Sequence, residues 1–401
     1  MSKVNETAQQ PGSDDRFVNR LAIVTFLEWV GAGAILPLLP IFLTHHGASA
    51  GMVGLTMAAF FLASLCVQYP AGRLADQYGR RPVLIAGLIL FAVSSALFLL
   101  PLNTIGFLIL RFIQGAATGA SEVAALALVS SAVPDERRGR AMSKIYSAQF
   151  TGTSIGPVCG ALVGVAQMGL LFTATAILCI VAAIPVIRSQ IIKSQDRHHF
   201  REGPLPVISI DAAIVGALCI AVAFGLLIGV YESTWTLLMD TRHATQLQIA
   251  LTWTVFSLPY IFLVRVGGWL SGRFDRRTMA IGGLAIGLLF LALWPHISSI
   301  VVIIALCPIE PFGSSMMLPS VQGLLTQNRT PSELGRIQGL YATANTAAIA
   351  LSASVSGWLF QIGHALPYSI AAGLGAGLLV AAGISWRSTP GRVNVSPLAE
   401  P

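Results

Sequence analysis

The chain of 401 residues is 55% hydrophobic and 10% charged, with a formal net charge of +7 and a mean hydropathy of +0.75. A soluble domain carries about 25% charged residues, so this chain has too little polar surface to cover itself in water, and the bilayer is its expected solvent. Nor does the positive charge mark a nucleic-acid partner, because the Lys and Arg residues fall in short clusters between apolar runs and not on one soluble face.

About 20 apolar residues cross the hydrocarbon as a helix. Residues 1–19 read as a polar tail, followed by spans over 20–43, 52–74, 82–101, 104–131, 140–164 and 168–188. The first of these runs is longer than the 7 to 15 residues of a signal-peptide core, so a retained helix is expected. A polar linker covers 189–209. Further spans follow over 210–237, 246–269, 278–295, 298–324, 334–361 and 365–386, and a tail over 387–401. The expected fold class is an all-α membrane protein of 12 transmembrane helices, in bundles over 20–188 and 210–386.

All but three of the 24 Lys and Arg residues fall on the side that holds both tails. The exceptions are Arg242 in a loop on the other side and Arg111 and Arg265 within spans. The positive-inside rule therefore predicts a multi-pass protein of the cell (inner or plasma) membrane with both termini cytoplasmic.

The chain also repeats itself. Gly72-Arg-Leu-Ala-Asp76-Gln-Tyr-Gly79-Arg80-Arg81-Pro-Val-Leu-Ile-Ala-Gly87 aligns with Gly268-Trp-Leu-Ser-Gly272-Arg-Phe-Asp275-Arg276-Arg277-Thr-Met-Ala-Ile-Gly-Gly283, and Gly139-Arg140 aligns with Gly335-Arg336, both 196 residues apart. One shared offset of nearly half the chain argues for duplication in parallel orientation.

Four glutamates lie inside spans: Glu28, Glu122, Glu232 and Glu310, on the first, fourth, seventh and tenth. A carboxylate costs a few kcal/mol at the bilayer centre, so each must face water or a partner. Glu28 and Glu122 are the leading candidates for proton coupling. Glu310 lies between Pro308 and Pro311, where the helix ladder must break, and Glu232 lies nearer the outer end. Arg111 needs a partner or water, or must snorkel to the surface from about 10 Å inside its span. Trp29, Tyr146, Tyr231, Trp235 and Tyr341, together with Asn345, lie on or near the same spans, where rings stack on flat or cationic ligands or belong to interfacial belts.

Cys66, Cys159, Cys179, Cys219 and Cys307 are scattered through apolar segments without a CxxC pair, which indicates neither a disulfide framework nor a metal site. His45, His46, His243, His296 and His364 fall in loops without metal-ligand spacing. No cofactor is implied. The absence of a GxxxxGK[ST] loop argues against ATP as the energy source, and no clustered nucleophile and base suggests an enzyme.

The loop Gly72-Arg-Leu-Ala-Asp76-Gln-Tyr-Gly79-Arg80-Arg81 resembles the signature loop of the major facilitator superfamily. The resemblance implies a gating role for Gly72, Asp76, Gly79 and Arg80, which in that family latch the two halves in the outward-facing state; the second copy departs from the pattern, with Gly272 where Asp76 would fall. Gly152-Thr-Ser-Ile-Gly156-Pro157-Val-Cys-Gly160 resembles the exporter motif of the drug:proton antiporter branch, although Ser143 and Ala161 stand where that pattern has glycine. Leu110-Arg111-Phe-Ile-Gln114-Gly115 is similar to the family's buried-arginine motif, which ties Arg111 to proton transfer.

Together these resemblances imply a monomeric exporter that exchanges small hydrophobic or cationic molecules for protons. Glu28, Glu122 and Arg111 would couple protons. Glu310, Glu232, Gln114, Asn345 and the aromatic residues would contact substrate, and Gly152, Gly156, Pro157 and Gly160 would serve gating. A dedicated exporter of one metabolite, such as a siderophore or antibiotic, is the alternative. Uptake of a sugar or organic acid, or a non-transporting receptor, ranks lower.

Overall fold

In hydrocarbon a backbone must satisfy its own hydrogen bonds, which helices and closed barrels alone achieve. The computed structural model describes residues 11–133, 135–188, 210–327, 329 and 331–389, and among them every regular element is helical. The first set comprises α1 (Pro11–Ile35), α2 (Leu39–His45), α3 (Ala50–Tyr78), α4 (Arg80–Leu97), α5 (Thr104–Ala132), α6 (Asp135–Val163) and α7 (Met168–Arg188). The second comprises α8 (Ala212–Asp240), α9 (Gln246–Arg273), α10 (Arg276–Leu293), α11 (Ile300–Leu306), α12 (Glu310–Thr326), α13 (Pro331–Ile362) and α14 (Leu366–Ser385). The linker expected over 189–209 lies outside the described residues.

Ten helical stretches among the described residues are long and apolar enough to cross a membrane. The expected twelve is reached only by adding α6 and α13, which are 29 and 32 residues long but more polar. Their polarity has a physical reason: α6 packs against α9 and α13 against α3, each in the opposite half, so protein and not lipid covers those faces. Two expectations need adjusting. Helix α1 begins at Pro11, inside the expected tail, and the first span is not continuous, because it stops at Ile35 and restarts at Leu39 around Pro37.

The repeat reappears as structure. Arg81 at the start of α4 donates through Nε to the Val186 carbonyl at 2.9 Å and also to the Ile187 carbonyl, which ties α4 to the end of α7. Its counterpart Arg277 donates to the carbonyls of Trp386 at 3.2 Å and Thr389 at 2.9 Å, which ties α10 to the end of α14. Cations at helix C-termini meet carbonyls that lack intrahelical donors. The second copy moves its acid: Asp275 stands where the first has Gly79, accepts from the amides of Arg277 (2.8 Å) and Thr278 (3.2 Å), and pairs with the Arg277 guanidinium at 2.7 Å. That guanidinium hydrogen bond holds the Asp275 carboxyl below the usual carboxylate range.

Small residues set the helix spacing, as expected where lipid offers no hydrophobic drive to association. A Cβ added at Gly156 would lie 2.7 Å from the amide nitrogen of Ala34, and one at Gly160 would collide with the Ala34 carbonyl. The exporter-like segment is thus the surface on which α6 approaches α1. Gly160→Val is expected to destabilise the protein by about 1–3 kcal/mol through overpacking, read as a lower thermal unfolding temperature in detergent. Gly282→Ala, where an added Cβ meets nothing within 4 Å, should leave that temperature unchanged or slightly higher.

Candidate functional site

Each half holds a buried acid. In the C-terminal half the helix ladder breaks between α11 and α12 at Cys307-Pro308-Ile309, which makes Glu310 the first residue of α12. Glu310 is only 2% exposed. Its Oε1 accepts from the Tyr231 hydroxyl at 2.9 Å, and its Oε2 accepts from Trp294 Nε1 at 3.1 Å. Two donors on one carboxyl group make burial tolerable.

Beside it, Tyr231, Glu232 and Trp235 of α8, Thr252, Trp253 and Phe256 of α9, and Trp294 line a cavity of about 430 Å³ including its open mouth. The Trp235 and Trp294 rings meet edge to face at 5.5 Å, and Trp235 and Tyr231 at 5.6 Å. Trp235 Nε1 donates to Thr252 Oγ1 at 2.9 Å, which fixes the indole. Glu310 does not line the cavity. Glu232 does, and its Oε2 is buried with no hydrogen-bond partner among the described residues.

In the N-terminal half Glu28 of α1 accepts from Ser121 Oγ of α5 at 2.9 Å. Glu28, Trp29, Ser121, Glu122, Tyr146 and Gln149 line a second cavity, with about 20 Å³ available to the centres of water-sized molecules, enough for about one water. The two expected proton-coupling acids therefore share one small chamber.

Arg111 does not snorkel. It is 5% exposed, donates from Nη1 to Gln114 Oε1 at 3.1 Å, and stacks its guanidinium 4.2 Å from the Phe60 ring centre. Gln114 in turn donates to Ser95 Oγ at 3.0 Å. Arg111 of the N-terminal half and Glu232 of the C-terminal half are near enough for their charges to be felt, without a hydrogen bond or ion pair between them. Both lie roughly 10 to 12 Å below the same end of the bundle, counting 1.5 Å per residue from the start of α5 and the end of α8.

Other expected site residues lie apart from these cavities. Asn345 donates to the Ala221 carbonyl at 2.8 Å and ties α13 to α8. The buried Tyr341 hydroxyl has no partner among the described residues and lines neither cavity. Asp76 is exposed. A Cβ at Gly72 would meet nothing nearer than Val123 at 3.8 Å, so no neighbour crowds the signature loop there. The halves instead meet closely at the other end, where added Cβ atoms on Gly54 and Gly357 would collide with Ala353 and Ala50 across the boundary.

A family model described as Major Facilitator Superfamily matches residues 21–234 and again 213–401. The chain belongs to that superfamily. It is therefore a multi-pass membrane transporter. It is 25% identical over 365 residues to multidrug resistance protein 2 of Bacillus subtilis (strain 168), covering 86% of this chain and 89% of that one. It is also 26% identical over 341 residues to the class D tetracycline resistance protein of Salmonella ordonez, covering 82% and 86%. Both names come from drug resistance, the branch that the motifs around Arg111 and Gly156 resemble. Among solved structures, a D-xylose-proton symporter superposes with a TM-score of 0.74 at 15% identity over 95% of this chain and 99% of that one, a likeness of fold alone.

Sequence reasoning passed over Ser121, Trp294, Thr252 and Trp253. Ser121 adjoins Glu122, and only the helix rotation shows that Ser121 is the residue turned to Glu28. Trp294 ends a span, where an indole reads as an interfacial anchor. Tyr231→Phe or Trp294→Phe, each removing one donor from Glu310, is expected to lower stability by about 1–3 kcal/mol, measured by thermal unfolding in detergent. The double variant should cost less than the sum of the two, because both donors serve one carboxyl group.

Proposed function

We propose that the chain exports small hydrophobic or cationic molecules in exchange for protons, by alternating access across the cell membrane, as a monomer with both termini cytoplasmic. The observation that carries this reading is Glu232: a carboxylate whose buried oxygen has no partner among the described residues, lining an aromatic pocket of the C-terminal half. Such a pocket offers a cationic ring both π faces and a counter-charge. The names of the resistance relatives support export of drugs over uptake of a sugar.

With the basic loops inside, the end closed around Gly54 and Gly357 is the outer one, and the cavity is loaded from the cytoplasm. Rocking of the halves carries the pocket to the outside and separates Arg111 from its present relation to Glu232. Protonation of Glu28 or Glu122 from outside favours release, and deprotonation inside restores affinity. Glu310 braces the pocket through Tyr231 and Trp294, and Asp76 with Arg80 latches the cytoplasmic ends when they close.

Everted vesicles containing the protein should accumulate a cationic dye when a pH gradient is imposed. Glu28→Gln or Glu122→Gln should abolish the gradient-driven component, and unaltered accumulation in both variants would remove this coupling scheme. Glu232→Gln should raise KM for cationic compounds roughly tenfold, the weight of about 1.4 kcal/mol, while neutral compounds change little. A resistance screen across dyes, antibiotics and iron chelators separates the two export readings: broad protection supports multidrug export, and protection against one compound a dedicated exporter.

A further inference from the structure

At the end of the bundle opposite the termini, two glutamines reach across the boundary between halves. Gln246, the first residue of α9, presents Oε1 to the Val165 amide of the N-terminal half at 3.0 Å. Gly164, just before it, has φ +84, and a Cβ there would stand 2.9 Å from the same oxygen. Gln361, in the last turn of α13, is ringed by the donors Ala50 N (3.2 Å), Gly51 N (3.0 Å) and Ser49 Oγ (3.3 Å), which assigns its amide oxygen to that side as their acceptor.

The two junctions are counterparts under the duplication. The start of α9 meets the segment after α6, and the end of α13 meets the start of α3, so each glutamine bridges one of the two most extensive helix pairs between the halves. In both cases the C-terminal half supplies the oxygen and the N-terminal half supplies backbone N–H groups. Those donors lie in the first turn of a helix, Val165 opening the short 3-10 turn Val165–Gln167 and Ala50 opening α3, where no intrahelical acceptor is available. Ser49 already takes the Met52 amide, so Gln361 completes the cap of α3 from the other half.

We propose that Gln246 and Gln361 are a two-point latch that holds this end of the transporter shut, and that the halves must break both caps to open there. The proposal goes beyond the export reading but rests on its alternating access. Neither residue touches the acid sites, so the latch sets the balance between states and not the affinity of the pocket. An acceptor oxygen is the working group. A side chain of similar size without one should fail, and a carboxylate should serve.

The test uses the full chain in lipid nanodiscs, its native cysteines replaced, with spin labels on Leu100→Cys and Val301→Cys. Both positions are exposed at this end, one in each half. Double electron–electron resonance then reads the ratio of long (open) to short (closed) distances. Gln246→Leu should raise that ratio roughly fivefold, the weight of one such hydrogen bond, Gln361→Leu, which loses more donors, at least as much, and the double variant about 25-fold or more if the two sites act independently. The corresponding Glu variants should keep the wild-type distribution.

An unchanged distribution in the Leu pair overturns the latch, as does opening in the Glu pair equal to that in the Leu pair. If the double Leu variant does not fold, the two single variants decide the matter at fivefold or more each. No flux or gradient enters this measurement. Absent transport would therefore sink the export reading and leave the latch standing, whereas unchanged distances with intact pH-driven efflux would sink the latch alone.

Discussion

A charged or polar group inside hydrocarbon has no water to fall back on, and must find its partners within the protein. Within each half that demand is largely met. Glu310 takes donors from Tyr231 and Trp294, Glu28 takes Ser121, and Arg111 is held by Gln114 and the Phe60 ring. Among the described residues the Oε2 of Glu232 and the Nε of Arg111 are buried without partners, as are a few other polar atoms such as the Tyr341 hydroxyl. A group satisfied inside one bundle has no stake in how the bundles are arranged. A group left wanting near another bundle is sensitive to every change in their arrangement.

Duplication supplied both halves with the same arginine clamp, and the two copies then diverged in their acid. In the first loop Asp76 is exposed, and the position that would cap α4 is Gly79, with φ +102. In the second loop Gly272 leaves the earlier position without a charge, and Asp275 is engaged by the amides and guanidinium at the start of its own helix. An acid already committed to an N-cap and an ion pair has little left to offer a distant helix. The divergence gives the first loop an acid available to an external partner and the second loop a fixed helix start.

Much of the architecture was legible because the signals were long. Apolar runs of about 20 residues have one stable solution in a bilayer, the 196-residue offset showed two related halves, and Pro308 with Pro311 marked the break that exposes Glu310 to Tyr231 and Trp294. Short-range or three-dimensional features were not. Pro37 divides the first span, yet the hydropathy of the run hides the break. The four acids were visible as residues out of place in hydrocarbon, but their partners were not: Ser121 faces Glu28 across 93 positions and Tyr231 faces Glu310 across 79, and one chain carries no record of such distances. Helices α6 and α13 were found by length, while their polarity became explicable only once each was seen covered by a helix of the opposite half.

Close backbone approach has a consequence for how such a molecule can move. In lipid, association rests on dispersion contacts and hydrogen bonds, without a hydrophobic drive, so a helix pair separates by giving up contacts that lipid tails can partly replace. Inside the halves this is opposed along whole helices, as where Gly156 and Gly160 seat α6 on α1, and polar ties such as Asn345 to Ala221 add to it. Between α3 and α13 the glycine contacts at Gly51, Gly54 and Gly357 lie toward one end. An interface tight at one end and rigid bodies on either side of it form a hinge, and the free energy of tilting about that hinge is set by a few end contacts and not by the bundle interiors.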